Sequence, residues 1–451
     1  MKRFSLLLLV ASSVIWSVSA LAAVRPRYGG TLRITVREAP QTLEPLDLVQ
    51  AGTPNVSRLI FDTLVILDDR GQPQPSLATT WQAEPDNQRW RFHVRSGVSF
   101  SDGSPLNPAA VAASLRSANP GWKVLTAGDT VVIESATPNP DLPAELALAR
   151  NAIALGSQQP AGTGPFSVSQ WLPGKHLALT ANDQYWGGRT FLDSIEVDFG
   201  KNDREQLAAL DLDKADIAEI APENLRRASA DARTVFTSNP YELLALVFSA
   251  SPRSEEETHA RNALTLSLDT SAINNVVLQG GGEPAGSLLP NWLSGYAFLF
   301  STQTNLERAR QERSLAKQST SFVLGYNALD PVAPTIAERI LLNARDAGLT
   351  LQLTTAGHSD AVLVRIPLTS PDARAALTEL TKPLQMPPPR FAGNSLSEVY
   401  AAEKTLLQSH RITPLLHLRN GAASRANVRN FNILPDGTWQ LNDAWLTTEK
   451  P

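Results

Sequence analysis

SLATTWQAEPDNQRWRFHVRSGVSFSDGSPLNPAAVAASL, residues 76–115, is the stretch that decides the fold of this 451-residue chain. Its apolar and polar residues alternate. Trp90, Phe92 and Val94 fall on one face of a strand, and Arg89, Arg91, His93 and Arg95 on the other, which describes an antiparallel strand with one wet face. Trp81-Gln82-Ala83-Glu84 supplies its partner, and Glu84-Pro85-Asp86-Asn87 the turn between them. A second turn follows at Ser101-Asp102-Gly103, where glycine admits a positive φ without steric cost. Asn107 is then placed to cap a helix that has Pro108 at its first position.

Outward from this stretch the same patterns continue. Upstream, Gly29 to Val36 reads as a first strand, Pro54 to Leu64 as a helix with Val56, Ile60 and Leu64 facing one core, and Leu64 to Leu67 as a strand. Downstream, Thr130 to Ser135 reads as a strand and Ala144 to Arg150 as a short helix. Gly162-Thr163-Gly164-Pro165-Phe166 lets backbone approach another surface closely, and a hairpin turns at Trp171 to Lys175. Asp193 to Phe199, Asp203 to Leu210 and Ala215 to Ala218 form a strand, helix and strand. Glu242 to Ala250 is an apolar strand and a first crossing between lobes, and helices follow at Glu255 to Leu268 and Asp269 to Leu278. Gly280-Gly281-Gly282 follows a helix rather than a strand, so it is read as a flexible connection and not as a phosphate cradle. Phe322 to Tyr326, Ala333 to Ala347 and Leu349 to Leu353 form a βαβ unit with a parallel sheet. Ala361 to Ile366 adds a strand, Ser395 to Gln408 a helix, and Thr413 to Leu418 the second crossing.

Composition narrows the class. With 42% hydrophobic and 19% charged residues the chain is globular and long enough for more than one domain. A formal net charge of −4 gives no surface for nucleic acid. Met1-Lys2-Arg3, the apolar Phe4 to Ser19 and the small residues to Ala22 have the three parts of a secretory leader, with cleavage expected after Ala22. The apolar run is short for a bilayer span. The sequence contains no cysteine, which excludes disulfides, thiolate metal sites, Cys nucleophiles and an N-terminal lipid anchor on Cys.

Catalytic chemistry finds no support. The six histidines show no metal-ligand spacing. Ser314-Leu315-Ala316-Lys317 spells S-x-x-K, but both companion motifs of penicillin-recognising enzymes are missing, as are G-x-S-x-G, H-E-x-x-H and a Walker loop. No catalytic residue, metal or cofactor is expected.

A family resemblance is carried by these residues. Pro75-Ser76-Leu77-Ala78 with Trp81, the Trp90-Phe92-Val94-Arg95 strand and Gly97-Val98-Ser99-Phe100-Ser101-Asp102-Gly103-Ser104-Pro105-Leu106 resemble the signature of bacterial extracellular solute-binding proteins, family 5. Gly162 to Phe166, Asn182 to Trp186 with Gly188, Arg261 to Asp269 and Leu288-Leu289-Pro290-Asn291-Trp292 continue the match in order. The resemblance implies an α/β, periplasmic binding protein-like (type II) fold, with two lobes around a cleft and hinge crossovers. It implies a periplasmic receptor that delivers a small solute, peptide-like first of all, to an ABC permease in the inner membrane. The chain is expected to act as a monomer. The lobes would be residues 23–250 plus 415–451, and 251–414, after a 1–22 leader. The alternative is a binding or signalling protein that kept the fold and lost transport.

Three departures from the family bear on ligand. The insertion between Leu115 and Ala152 is short, which argues for a smaller pocket. Asp211-Leu212-Asp213-Lys214 stands where the family has a glycine before an Asp-Ile-Ala strand. Asp360-Ala361 matches, but Val364-Arg365-Ile366-Pro367 replaces an aromatic and acidic loop, so Arg365 would repel an amine and is of the right charge for a carboxylate. Candidate cleft residues are Glu38, Thr163, Tyr241, Trp292, Tyr296, Arg365 and His417, while Trp81, Trp90 and Phe92 are expected to be scaffold.

Overall fold

A computed structural model describes residues 25–447, apart from 69–70, 157–159, 231–232, 318–320, 369, 371, 383, 392, 394 and 435–436. The expected leader, 1–22, lies outside the described residues.

Residues 76–115 fold as their pattern dictates. Ala78–Ala83 pairs antiparallel with Arg89–Val94, Trp81 opposite Phe92 and Ala83 opposite Trp90. Asn87 turns the hairpin at φ 55 and Gly103 the second turn at φ 85. The Asn107 side chain accepts the Ala110 N–H at 2.9 Å and so caps the helix Pro108–Ala118. Val111, Ala112 and Leu115 of that helix pack with the buried Trp90 and Phe92. Full burial of a side chain such as Phe92 contributes about 1.5 to 3 kcal/mol. The wet face carries Arg89 and Arg91 on Glu84, with Glu134 beside Arg89. Two further strands, Thr130–Glu134 and Lys123–Ala127, extend this hairpin into a four-stranded sheet.

Two larger sheets form the body. In spatial order the first holds Thr234–Thr237, Gly421–Ser424, Ile217–Ile220, Thr31–Thr35, Ser194–Asp198, His176–Ala181 and Phe166–Leu172. Thr31–Thr35 runs parallel to both of its neighbours. The second holds Gly282–Pro284, Ile412–Leu418, Glu242–Phe248, Ala361–Pro367, Ser321–Gly325 and Thr350–Thr354. Its Ser321–Gly325 and Thr350–Thr354 are parallel and joined through the helix Ala333–Asp346, the expected βαβ unit.

The chain changes sheet twice, between Thr237 and Glu242 and between Leu418 and Gly421. Glu242–Phe248, placed on the first-lobe side of its crossing by sequence, pairs on both sides within the second sheet. Ile412–Leu418 likewise belongs wholly to the second sheet. The exchange itself uses the polar and proline residues that follow Thr237 and Leu418, because a strand hydrogen-bonded on both edges cannot also bridge two sheets.

Three local details follow from the same geometry. Asp213 stands at φ 57 where relatives are expected to have glycine, and its carbonyl accepts from Arg33 at 2.6 Å while its carboxylate pairs with Arg425 at 2.6 Å. A Cβ at Gly162 would overlap the Ile60 carbonyl, and the Gly164 N–H donates to that same oxygen at 2.9 Å, so the expected close approach is made to the end of the helix Pro54–Ile60. Gly280 to Gly282 is not a flexible connection. Gly282 pairs with Leu418 in the second sheet, and a Cβ at Gly281 would overlap the carbonyl of Pro222 in the first lobe.

Candidate functional site

The crossings are bonded to one another. The Ser238 N–H donates to Asn420 O at 3.0 Å, the Tyr241 N–H to Leu418 O at 3.0 Å, and the Asn420 side-chain amide to the Tyr241 hydroxyl at 2.6 Å. Trp292, on the short helix Asn291–Ser294 of the second lobe, adds its indole N–H to Pro240 O at 2.7 Å. Sequence placed Tyr241 and Trp292 in the cleft. The structure brings them together, at the hinge, with the polar end of each engaged by the chain itself.

Beside the crossings the two lobes face each other with charge. From the first lobe come Arg37, on Asp203, together with Glu219 and Glu223. From the second come Glu242, the first residue of its strand, with Arg365 and Asp330. The Arg365 Nε donates to Asp330 at 2.7 Å and Nη1 to Glu242 at 3.3 Å. Arg365 therefore neither faces water nor stands ready for a ligand carboxylate: two acids of its own lobe already hold it.

The acids here outnumber the guanidiniums. Burial pushes the Glu219, Glu223 and Glu242 carboxyls above their ordinary range, with Arg365 opposing the shift at Glu242 and Glu223. Glu219 accepts one bond, from the Arg37 N–H at 3.2 Å. Glu223, on the turn Pro222–Asn224, is different: both carboxylate oxygens are shielded from solvent, and apart from its own backbone N–H no donor approaches them closely enough to bond. A buried acceptor without a donor costs about 1 to 3 kcal/mol, and more when it is charged.

The remaining candidates are placed elsewhere. Glu38 is exposed past the end of the first strand, within electrostatic reach of Glu219. Thr163 is fully buried and donates to Asp62 at 2.9 Å. Asp62 also accepts from the Trp186 indole at 2.8 Å and the Tyr185 hydroxyl at 3.2 Å, and burial lifts its carboxyl to about 6. Thr163 thus belongs to a polar node of the first lobe, not to the cleft. Tyr296 and His417 belong to a second node. Glu403, fully buried, accepts the Tyr296 hydroxyl at 2.7 Å and the Leu288 and Leu289 N–H groups, and His417 donates Nε2–H to Leu288 O at 3.1 Å. Burial lowers His417 to about 4, so the ring is neutral at pH 7. The node anchors the segment that carries Trp292.

Sequence reasoning missed Glu223 and Glu219, and nothing local distinguishes either from a surface glutamate. A pocket of about 580 Å³ also opens in the first lobe between Ser57, Arg58 and Asp62 on one side and Asn430 to Asp443 on the other. None of the seven candidates lines it. Ser314 donates to Gln311 O of its own helix and Lys317 pairs with Glu256, so the S-x-x-K string assembles no reactive pair. Among the described residues no group of His, Cys, Asp and Glu is arranged to hold a metal ion.

Residues 72–378 match the family model described as bacterial extracellular solute-binding proteins, family 5 Middle. The uncharacterised protein YhjP of Bacillus subtilis is 33% identical over 36% of this chain, and the match spans 31% of that relative's length. The probable D,D-dipeptide-binding periplasmic protein DdpA of Escherichia coli is 24% identical over 70% of this chain and 68% of its own. Among solved structures, the periplasmic binding protein DppA of Helicobacter pylori, in complex with the peptide STSA, superposes with a TM-score of 0.77 at 15% identity, covering 93% of this chain and 99% of that one. That likeness establishes the fold, a two-lobed type II periplasmic-binding architecture.

Proposed function

Since the chain belongs to family 5 of the bacterial extracellular solute-binding proteins, we propose that it is a periplasmic receptor that captures a small solute by closing its lobes and presents it to an ABC permease in the inner membrane. The observation that carries this reading is the paired crossing: the chain passes between the two sheets at 238–241 and at 419–420, so that one lobe can rotate on the other about a bonded hinge. The proposed lobes are 25–237 with 421–447, and 242–418, each boundary falling where the sheets exchange. It acts as a monomer, without cofactor, catalytic step or nucleic acid.

The solute is small and peptide-like, and the group it presents beside the crossings is a cation. Glu223 supports this, because a carboxylate withdrawn from water without a donor from another residue is stabilised by a positive charge brought in from outside. The engagement of Arg365 by Glu242 and Asp330 supports it from the other side, since no guanidinium of that pair remains for an anion.

Isothermal titration calorimetry with a panel of free amino acids, di- and tripeptides and polyamines tests the reading. Binding is expected for members that carry a free amine, with at least a tenfold weaker affinity in Glu223→Gln. Absence of binding by every member would overturn the receptor reading. Binding of N-acetylated members only would overturn the cationic one.

A further inference from the structure

Away from the crossings, the lobes also meet through a cluster of charged side chains that sequence did not single out. The first lobe contributes the segment that stands where the family carries its longer insertion: Asp141 at the start of Leu142–Glu145, and Arg150 within Ala149–Asn151. Leu142, Leu146 and Ala147 fix that segment in the core of the four-stranded sheet. The second lobe contributes Arg374 and Glu379 from the helix Ala373–Thr381, whose Ala373, Ala376, Leu377 and Leu380 are buried in that lobe's own core.

The charges match across the gap. Arg150 pairs with Glu379 through both guanidinium nitrogens, Nη2 to Oε1 at 2.8 Å, and the Arg374 Nε donates to Asp141 at 3.0 Å. Three of the four partners are braced within their own lobes: Arg150 by Glu145, Glu379 by Lys382, and Arg374 by Gly393 O and the Phe391 ring. Side-chain exposures of 16% for Arg150, Glu379 and Arg374, against 31% for Asp141, place the pairs partly out of water, where screening is weaker than on an open surface.

We propose that these two ion pairs form an electrostatic latch that holds the lobes closed without ligand, the shortened segment Asp141 to Asn151 acting as its first-lobe half. Both pairs exist only in the closed arrangement, because the paired charges sit on different rigid bodies. Opening the lobes separates both at once, so their strength enters the open-closed equilibrium directly. Bracing of Arg150, Glu379 and Arg374 beforehand lowers the ordering cost of making the pairs. The inference rests on the two-lobed closure reading but not on the identity of the ligand.

The absence of native cysteine makes the test direct. Spin labels at Thr126→Cys in the first lobe and Lys404→Cys in the second, both at exposed positions, report the interlobe distance in ligand-free protein by pulsed dipolar spectroscopy. A short-distance majority is expected in the wild-type background. Arg150→Ala with Arg374→Ala shifts the open-to-closed ratio at least tenfold toward open, and 1 M NaCl moves the wild type in the same direction. Arg189→Ala, which removes ion pairs lying within the first lobe, leaves the distribution unchanged. A wild-type distribution already open, or a double variant indistinguishable from wild type, would overturn the latch. Should the arginine variant fail to fold by circular dichroism, the near-isosteric Glu379→Gln with Asp141→Asn decides by the same criterion. The outcome is independent of the solute panel: a latched chain that binds no member of it keeps the latch and loses the receptor reading.

Discussion

The lobes are joined in two places that differ in kind. At the crossings the contacts are backbone amides on carbonyls, an indole on a carbonyl and a side-chain amide on a tyrosine hydroxyl. At the latch they are four charged side chains. The first kind lies in and beside the connecting chain, which stays covalently continuous whichever way the lobes rotate. The second is made and broken with each closure. Stability and conformational equilibrium are therefore set in different parts of the molecule, and perturbations of the two places should separate.

The largest expected effect is at the crossings. Trp292→Ala removes a large side chain and leaves Pro240 O without its donor, and should lower the unfolding free energy by about 3 kcal/mol in denaturant titrations. The closed population reported by the label pair should hardly move. A loss under about 1 kcal/mol would mean that the indole does not anchor the crossing.

An intermediate effect is expected from acid. His417 sits one residue before the last residue of a strand that leads into a crossing, and its folded value of about 4 lies below the unfolded one. The unfolded chain therefore binds the extra proton. The stability contributed by neutral His417 is complete above about 6.5 and is lost as pH falls toward 4, by about 2 to 3 kcal/mol between pH 7 and 4.5. Asp62 acts oppositely over the same window, because its folded value of about 6 lies above the unfolded one and acid favours the folded state. The wild type alone reports only the sum. The difference between wild type and His417→Gln, measured by denaturation at each pH, isolates the histidine; a pH-independent difference would reject this account.

The smallest effect on stability is expected at the latch. Arg150→Ala with Arg374→Ala should change the unfolding free energy by less than about 1 kcal/mol, since partly exposed ion pairs gain little over their hydrated separate charges. A loss of several kcal/mol would make those pairs structural and erase the contrast.

How far the sequence could be read depends on whether the determinant is local. Residues 76–115 carried their own turns, cap and alternation, and folded as read. So did the βαβ unit at 321–354, whose helix keeps Ile336, Ile340 and Ala344 in register. The helix Ala373–Thr381 was missed although Ala373, Ala376, Leu377 and Leu380 show helical spacing. Gly421–Ser424 was missed for a physical reason: Gly-Ala-Ala-Ser has little strand propensity of its own and is held as a strand by pairing on both edges. The site was less legible still. Arg365 was visible, but Glu242 and Asp330, which neutralise it, lie 123 and 35 residues away. Arg150 and Glu379 are separated by 229 residues, and no spacing rule spans that. Tyr296 and His417 showed the polar aromatic character of cleft residues, yet that character here satisfies buried groups of one lobe.

Gly421–Ser424 also has a consequence for how the molecule is made. It lies between Ile217–Ile220 and Thr234–Thr237, and bonds to both. A chain emerging from its amino terminus therefore completes the second lobe's sheet, whose last strand is Ile412–Leu418, before the first lobe's sheet can close. Until then two strand edges stand open, with unpaired amides and carbonyls that invite association with other chains. The lobe that begins first is finished last, when Gly421–Ser424 enters between its two neighbours.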